Sequence, residues 1–328
     1  MHDFLAIGDN VTDALIKLKA AKLHCDINQE HCTITMACGD KIPFASVEVV
    51  RAVGNSANAA VAAARLGLSS ALVTNIGEDD EGAKCLEHLK EDRVSTEYIT
   101  VHKGKKTNYH YVLWYENDRT ILIKHEEYDY KLPEIKEPKW FYLSSLGSGT
   151  LDYQKDILKW LEAHPNVNMA FQPGTFQIKL GKDELKDIYK RAKIFFCNVE
   201  EAEKILGKEA LGIPELLKQM HALGPKVVVI TDGPKGAHAF DGNKMLFCPV
   251  YPTSDAPYER TGAGDAFAST TVVALALGKD LSTALLWGAT NSMSVVNKVG
   301  AQKGLLSREA LEEYLEKAPN FKTEELKF

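Results

Sequence analysis

The spacing of apolar residues along this chain changes character partway through. Phe4-Leu5-Ala6-Ile7 is a short apolar run that reads as a first strand, but no clean helix follows it. Across residues 14–50, the stretches Ala21–Asp26, Cys32–Ala37 and Ile42–Phe44 alternate with turn residues, which predicts hairpins rather than a layer of the main sheet. Asn55–Leu66 is alanine-rich and helical, with Gly67 as its stop. Ala71–Thr74 predicts a buried strand, and Glu81–Glu91 an amphipathic helix through Cys85, Leu86 and Leu89. Thr107–Tyr115 and Arg119–Ile123 flank Glu116-Asn117-Asp118 and predict another hairpin.

From residue 140 the pattern is regular. Trp140–Leu143, Val167–Phe171, Ile194–Cys197 and Val227–Thr231 read as strands, with helical stretches near 151–163, 184–192, 199–206 and 213–222 between them. Such alternation implies parallel βαβ units covered on both faces. Asp241-Gly242 signals a tight hairpin, and three helices follow near 264–277, 282–298 and 307–317. No repeat, low-complexity tract or linker interrupts the chain. The expectation is one α/β domain over residues 1–328, with a small β lid formed by segments about 14–50 and 105–125.

Composition narrows the partners. The 328 residues are 45% hydrophobic and 26% charged, as in ordinary globular chains, and the formal charge of −6 argues against nucleic acid or an anionic membrane. No apolar run approaches the roughly 18–20 residues of a membrane-spanning helix. The start, Met1–Gly8, has no basic leader pattern, so a cytoplasmic protein is expected. Cys25, Cys32, Cys38, Cys85, Cys197 and Cys248 fit no zinc spacing and are expected as buried or half-buried free thiols.

Five segments carry candidate chemistry. Gly262-Ala263-Gly264-Asp265 runs straight into an apolar helix. Bare N–H groups at a helix start bind anions, and small residues let a phosphate approach. A carboxylate there is unhelpful unless it takes a proton from an attacking hydroxyl, which points to Asp265 as a general base in phosphoryl transfer. A dinucleotide fingerprint fails because Phe267 stands where its third glycine belongs, and no P-loop sequence occurs. In Gly54-Asn55-Ser56-Ala57-Asn58, Asn55 or Ser56 could cap the helix, whereas Asn58 lies one turn in, where an amide can meet sugar hydroxyls. Asp13 follows the first strand, on the side where ligands of α/β sheets sit. Asn198 and Glu201 share one face of a starting helix, suited to a capping box, to waters around Mg²⁺, or to both. Thr231-Asp232-Gly233 through Gly236 leaves a strand into a turn that a nucleotide can approach closely.

Taken in this order over nearly the whole chain, these segments resemble the ribokinase-like (PfkB) family of carbohydrate and nucleoside kinases. Gly262-Ala263-Gly264-Asp265 is the most specific match, and Gly77-Glu78-Asp79-Asp80-Glu81-Gly82 looks like the family's turn after the second core strand. The resemblance implies a three-layer α/β/α sandwich with a mostly parallel central sheet and a β lid over the sugar site, the lid pairing two subunits in many relatives. It implies ATP as donor and Mg²⁺ as cofactor. Asp265 would be the base, with the N–H groups of Gly262, Ala263, Gly264 and Asp265 as the anion hole. Asp13, Gly54, Asn55 and Asn58 would hold the acceptor. Asn198, Thr231, Gly233 and Gly236 would meet the nucleotide, Glu201 the metal, and Asn291 would line the adenine pocket.

Three positions depart from the family pattern. Asn55 replaces a second glycine, which puts a side chain near the acceptor. Val11 stands where ribokinase has an Asn, which counts against ribose. Glu259 stands where many relatives have an Asp of a monovalent-cation site, which counts against potassium. The expected activity is phosphorylation of a primary hydroxyl of a small sugar, with a nucleoside kinase as the alternative and a non-catalytic sugar- or nucleotide-binding regulator as a remote one. The lid rings Phe44, Tyr109, His110, Tyr111 and Trp114 could stack on a base, but packing against the core is the simpler expectation.

Overall fold

The computed structural model describes residues 1–19, 21–25, 32–115, 118–254 and 257–326. Strand β1 (Phe4–Ile7) leads within a few residues into β2 (Val11–Leu18). β3 (Lys22–Cys25) and β4 (Cys32–Thr35) pair as a small hairpin, and the long β5 (Phe44–Val53) returns to helix α1 (Asn55–Arg65). Next come β6 (Ser70–Gly77), α2 (Asp80–Glu91), β7 (Ile99–His102), β8 (Tyr109–Tyr115) and β9 (Asp118–Leu122). The alternating half comprises β10 (Trp140–Leu143), α3 (Leu151–Ala163), β11 (Asn168–Phe171), α4 (Thr175–Leu180), α5 (Lys186–Arg191), β12 (Ile194–Asn198), α6 (Val199–Leu206), α7 (Ile213–Ala222) and β13 (Val228–Thr231). The chain closes with β14 (Ala237–Phe240), β15 (Met245–Cys248), α8 (Ala263–Ala276), α9 (Leu281–Val296), α10 (Arg308–Lys317) and β16 (Glu324–Leu326).

The main sheet runs β16-β15-β14-β13-β12-β11-β10-β1-β6-β7, parallel from β13 to β7 and antiparallel at the other edge. Its central strands are apolar on both faces because both are covered. Leu5, Ile7, Phe141, Leu143 and Phe195 pack with Ile157, Ile188 and Leu216 of α3, α5 and α7. Phe4, Ala6, Trp140, Tyr142 and Phe196 point the other way, onto Ala60, Val272 and Leu285 of α1, α8 and α9. This gives the expected three layers. Among the described residues no helix is long and apolar enough to cross a membrane.

The lid is a second sheet in the order β5-β2-β8-β9. It begins at Val11 rather than near residue 14, so Asp13 sits in a strand, paired with His110, and not in a free loop. Cross-strand partners share a face. Leu15, Val112 and Ile121 turn inward, where Val112 is completely buried. Ile16, Val47, Tyr111, Leu113 and Leu122 lie on the outer face. Packing on the core therefore holds for Trp114, which meets Tyr258 at 5.3 Å, but not for Phe44 and Tyr111, which are 53% and 50% exposed.

Several local expectations shift. The helix expected over 184–192 is the shorter α5, preceded by an α4 that the sequence pattern does not signal; β7 and β16 are likewise unsignalled. The hairpin turn after β14 is centred on Gly242-Asn243, since the Asp241 N–H donates to the Lys244 carbonyl. Cys85, Cys197 and Cys248 are buried free thiols, whereas Cys38 is exposed because it sits in a surface turn. The side chains of Cys25 and Cys32, and the expected turn residues Glu116 and Asn117, lie outside the described residues.

Candidate active site

Two cavities meet at the start of α8. One, of about 350 Å³, lies under the lid and is lined by Asp13, Gly54, Asn55, Asn58, His110, Glu201 and Asp265, among others. The other, of about 750 Å³, lies between the β13–β14 turn and the α8–α9 pair. Asn198, Thr231, Arg260 and Gly264 border both. Four of the five sequence segments thus converge on one cleft, and the fifth, Gly233 to Gly236, lines its outer chamber.

The turn before α8 is built for glycine. Gly262 caps the helix at φ 80°, and a Cβ there would stand 2.3 Å from that of Ala301. A Cβ on Gly264 would meet no atom within 4 Å, so the space above it is cavity. Of the four N–H groups expected to form an anion hole, that of Ala263 turns back to the Arg260 carbonyl at 3.3 Å. The first N–H groups of a helix have no partner within it, so Gly264 and Asp265 can supply donors to the cleft.

Asp265 lines the chamber under the lid, next to Gly264, which borders both chambers. Its Oδ2 accepts from Asn58 Nδ2 at 2.7 Å and its Oδ1 from Gln172 Nε2 at 3.1 Å. Exclusion of water raises its pKa above the ordinary carboxylate value, a trend these two bonds and the Arg119 charge oppose. Asn58 is 3% exposed, and its Oδ1 accepts from Gln302 Nε2 at 3.0 Å. One hydrogen of its amide is therefore committed to the carboxylate, and the second remains for the chamber that Asn58 lines.

The wall expected to hold the acceptor differs in detail. The cap of α1 is Gly54, not Asn55 or Ser56: its φ of 108° and a Cβ position 2.8 Å from the Asp9 carbonyl exclude other residues. Ser56 Oγ instead donates to that carbonyl at 3.1 Å. Asp13 Oδ1 lies 3.4 Å from His110 Nδ1, and the His110 ring meets that of His125 at 5.2 Å. Asp9 is 6% exposed and accepts from Gly147 N–H at 2.6 Å and Tyr130 Oη at 2.7 Å, with His125 Nδ1 at 3.3 Å. Sequence reasoning missed Asp9, His125, Gln172 and Gln302 as parts of this site.

Asn198 and Glu201 form the reciprocal capping box: Glu201 N–H donates to Asn198 Oδ1 at 2.8 Å, and Asn198 N–H to Glu201 Oε2 at 2.9 Å. Burial raises the Glu201 pKa, and the negative charge of Asp265 adds to the rise. Its other oxygen remains for the cleft it lines. Among the described residues no three His, Cys, Asp or Glu side chains cluster as a metal cage. A lone carboxylate suits Mg²⁺, which keeps several waters and binds through one or two carboxylates plus phosphates. Glu259 is different. Both its oxygens accept, from Thr261 N–H at 2.6 Å, the Thr261 hydroxyl and Gly300 N–H at 3.3 Å, and the Arg119 guanidinium is 3.8 Å away.

Gly233 at φ 49° and Gly236 at φ 94° shape the turn of the outer chamber, which Asp232 N–H closes onto the Gly236 carbonyl at 2.8 Å. Asn291 does not reach that chamber. It is fully buried, donating to Thr270 Oγ1 at 2.7 Å and accepting from Leu306 N–H at 2.9 Å, while Ala289, Ser292, Met293 and Val296 line the wall. Its burial between α8 and α9, and not its donor count, keeps this amide away from a ligand in the chamber.

Comparison with known proteins agrees with this architecture. Residues 44–308 match the pfkB family of carbohydrate kinases. Ribokinase of Bacillus subtilis (strain 168) is 29% identical over 272 residues, covering 80% of this chain and 87% of the relative. The crystal structure of the Methanocaldococcus jannaschii nucleoside kinase superposes with a TM-score of 0.77 at 19% identity, over 97% of this chain and 99% of that one. Arabidopsis thaliana ribokinase complexed with ribose and ATP superposes with a TM-score of 0.77 at 19% identity, over 96% and 98%.

Proposed function

The chain belongs to the pfkB family of carbohydrate kinases, and from that membership we propose that it transfers the γ-phosphoryl group of ATP to a primary hydroxyl of a small sugar. The observation that carries this reading is the position of Asp265. Its carboxylate lines the chamber under the lid, one residue after Gly264, which borders both chambers, and a pKa raised by burial suits proton abstraction nearer neutral pH.

The sugar enters the chamber under the lid, against Asp13, Gly54 and Asn55. Asn58 holds the base. Asp265 takes the proton of the attacking hydroxyl as the O–P bond forms and the bond to the ADP leaving group breaks. Donors at Gly264 and Asp265 stabilise charge on the transferred group, and such pre-aimed donors are often the largest catalytic contribution. Thr231, Gly233 and Gly236 accommodate the nucleotide in the outer chamber. Glu201, with Asn198 orienting it, would hold Mg²⁺ through water, and the ion when bound neutralises phosphate charge. Potassium has no part in this reading, because the Glu259 carboxylate already meets three donors and Arg119.

A nucleoside is the second reading. The paired His110 and His125 rings, with Ile121 and Ile123 of the lid, line a wall on which a base could stack. Coupled ADP release with Mg²⁺ and ATP decides, measured across ribose, fructose, other ketoses, adenosine, guanosine, cytidine and inosine. Fastest turnover with a sugar supports the first reading and fastest turnover with a nucleoside the second. Silence on the whole panel with ATP still bound sinks both.

We further propose that lid and sheet act as one kinase unit and that two copies pair through the outer lid face. A sheet face left open to solvent is ordinarily polar, yet Val47 and Leu122 on this one are 51% and 52% exposed. Use of ATP argues for a cytoplasmic protein.

A further inference from the structure

An amide is nearly symmetrical in shape. Turned over, Asn58 or Gln172 would fit the same space but present a carbonyl oxygen, not an NH₂ group, to the carboxylate of Asp265. Two acceptors facing each other there would favour a protonated carboxyl, which cannot act as a base. Something must select the correct face.

For Asn58 the selector is Gln302. This side chain is 2% exposed and comes from the segment after α9, 244 residues away. Its Nε2 donates both to the Ala52 carbonyl at 2.7 Å and to Asn58 Oδ1 at 3.0 Å. The Ala52 carbonyl can only accept, so Gln302 cannot turn over without losing that bond. Ala52 itself sits at φ 52°, an unfavourable left-handed conformation for alanine, and lies directly before the turn into α1. On the far side, His88 Nε2 meets Gln302 Oε1 at 2.8 Å, which requires the proton on that nitrogen. Every bond from His88 through Gln302 and Asn58 therefore donates toward Asp265.

Gln172 is held similarly. Its Oε1 accepts from the hydroxyl of Tyr142 at 2.5 Å, and its Nε2 is left to face Asp265. Tyr142 is completely buried on β10, so its phenol stays protonated.

We propose that Gln302 and Tyr142 are positioning residues of the phosphoryl transfer, each fixing one amide so that both oxygens of Asp265 receive N–H donors. These roles rest on Asp265 being the base. The other charged groups around that carboxylate are Asp13 on β2, Arg119 on β9, Glu201 on α6 and Arg260 in the turn before α8. Around His88 they are Asp92 and, through Asp92, Arg65. None of these is altered in the test.

The test compares pH profiles of kcat for the wild type, Gln302→Met and Tyr142→Phe, with the best acceptor from the panel above. Loss of a hydrogen bond to an ionised group is expected to move the acid limb up by about one pH unit in each variant, with KM for ATP unchanged. An acid limb that stays in place in both variants overturns the inference, even if kcat drops, because loss of packing alone would not move it. Tyr142→Phe keeps the ring and its contacts, so its profile decides alone if Gln302→Met does not fold. Asp265→Asn separates the two levels. If it remains active the base assignment fails; if it is inactive while both profiles stay at wild type, only the positioning roles fail.

Discussion

The side-chain nitrogen of Asn58 stands 2.7 Å from Asp265 Oδ2, joining two residues 207 positions apart in the chain. Each lies in the first turns of its helix, α1 or α8, and these helices pack against each other beneath the cleft. The proposed acceptor wall and the proposed base are thereby fixed to one rigid pair of helices. An error in placing either end would displace both, and a reaction that depends on positioning tolerates little of it.

Replacement of Asp265 by Asn is expected to lower kcat about 10²–10⁴-fold, the usual contribution of a positioned base. ATP affinity should stay within a few-fold, because the nucleotide chamber is lined by other residues. Steady-state kinetics together with nucleotide titration check this, and near-normal turnover would remove Asp265 from the mechanism.

The pH dependence follows from the direction of the Asp265 shift. Burial raises its pKa, so the active, ionised form is reached above the ordinary carboxylate range, and kcat should rise with pH through that value. The stability sign is opposite. A folded pKa raised above the unfolded value contributes stability that is complete below the unfolded pKa and is lost as pH rises through the folded one. A kcat profile flat down to about pH 4, near the unperturbed carboxylate value, would contradict the shift.

Two glycines in one turn should respond oppositely. Gly262→Ala places a side chain at φ 80° against Ala301 and should destabilise by about 2–4 kcal/mol, from left-handed strain plus overpacking. Gly264→Ala meets open space within the first turn of α8, so it should leave Tm unchanged or raise it, with up to about 1 kcal/mol gained from helix propensity. Its methyl occupies the cavity, however, and turnover should fall. Thermal unfolding and kinetics on the pair distinguish a structural glycine from one reserved for phosphate. Equal loss of stability in both would refute the distinction.

What can be read from the sequence depends on distance along the chain. Strands such as Trp140–Leu143 and helices such as α2 are local patterns, and the Gly262–Asp265 turn announces its chemistry within four residues. The clamp on Asp265 does not. Gln172 reaches it from 93 residues away, and Gln302 reaches Asn58 from 244. Nothing near either glutamine distinguishes it from any buried amide. Asn291 misleads for the same reason: its position in α9 is right for the nucleotide chamber, but the helix phase turns it toward Thr270. Asp13 lines the chamber under the lid, as its place after β1 implies, yet its strand pairing depends on His110 on another element.

Glu201→Gln should raise the Mg²⁺ concentration for half-maximal activity about 10–100-fold, as changes around metal sites commonly do. Gln keeps an oxygen for the Asn198 N–H, so the capping box and the fold should survive. Magnesium titration at saturating ATP and acceptor checks this. An unchanged half-saturation would remove Glu201 from the metal and leave it as a cap alone.

Leu122→Lys tests the lid. On the outer face, Leu122 stands beside Tyr111 and Ala14 in one cross-strand row, while the adjoining inward residues, His110 and Asp13, line the acceptor chamber. If two copies pair through this face as proposed, a charge in the middle of that apolar row should leave only monomer at micromolar concentration, measured by light scattering. The inner face is expected to lose support when the outer one is uncovered, so KM for the acceptor should rise several-fold while KM for ATP does not. A wild-type protein that is already monomeric, or a monomeric variant with unaltered acceptor KM, would break the link between pairing and catalysis.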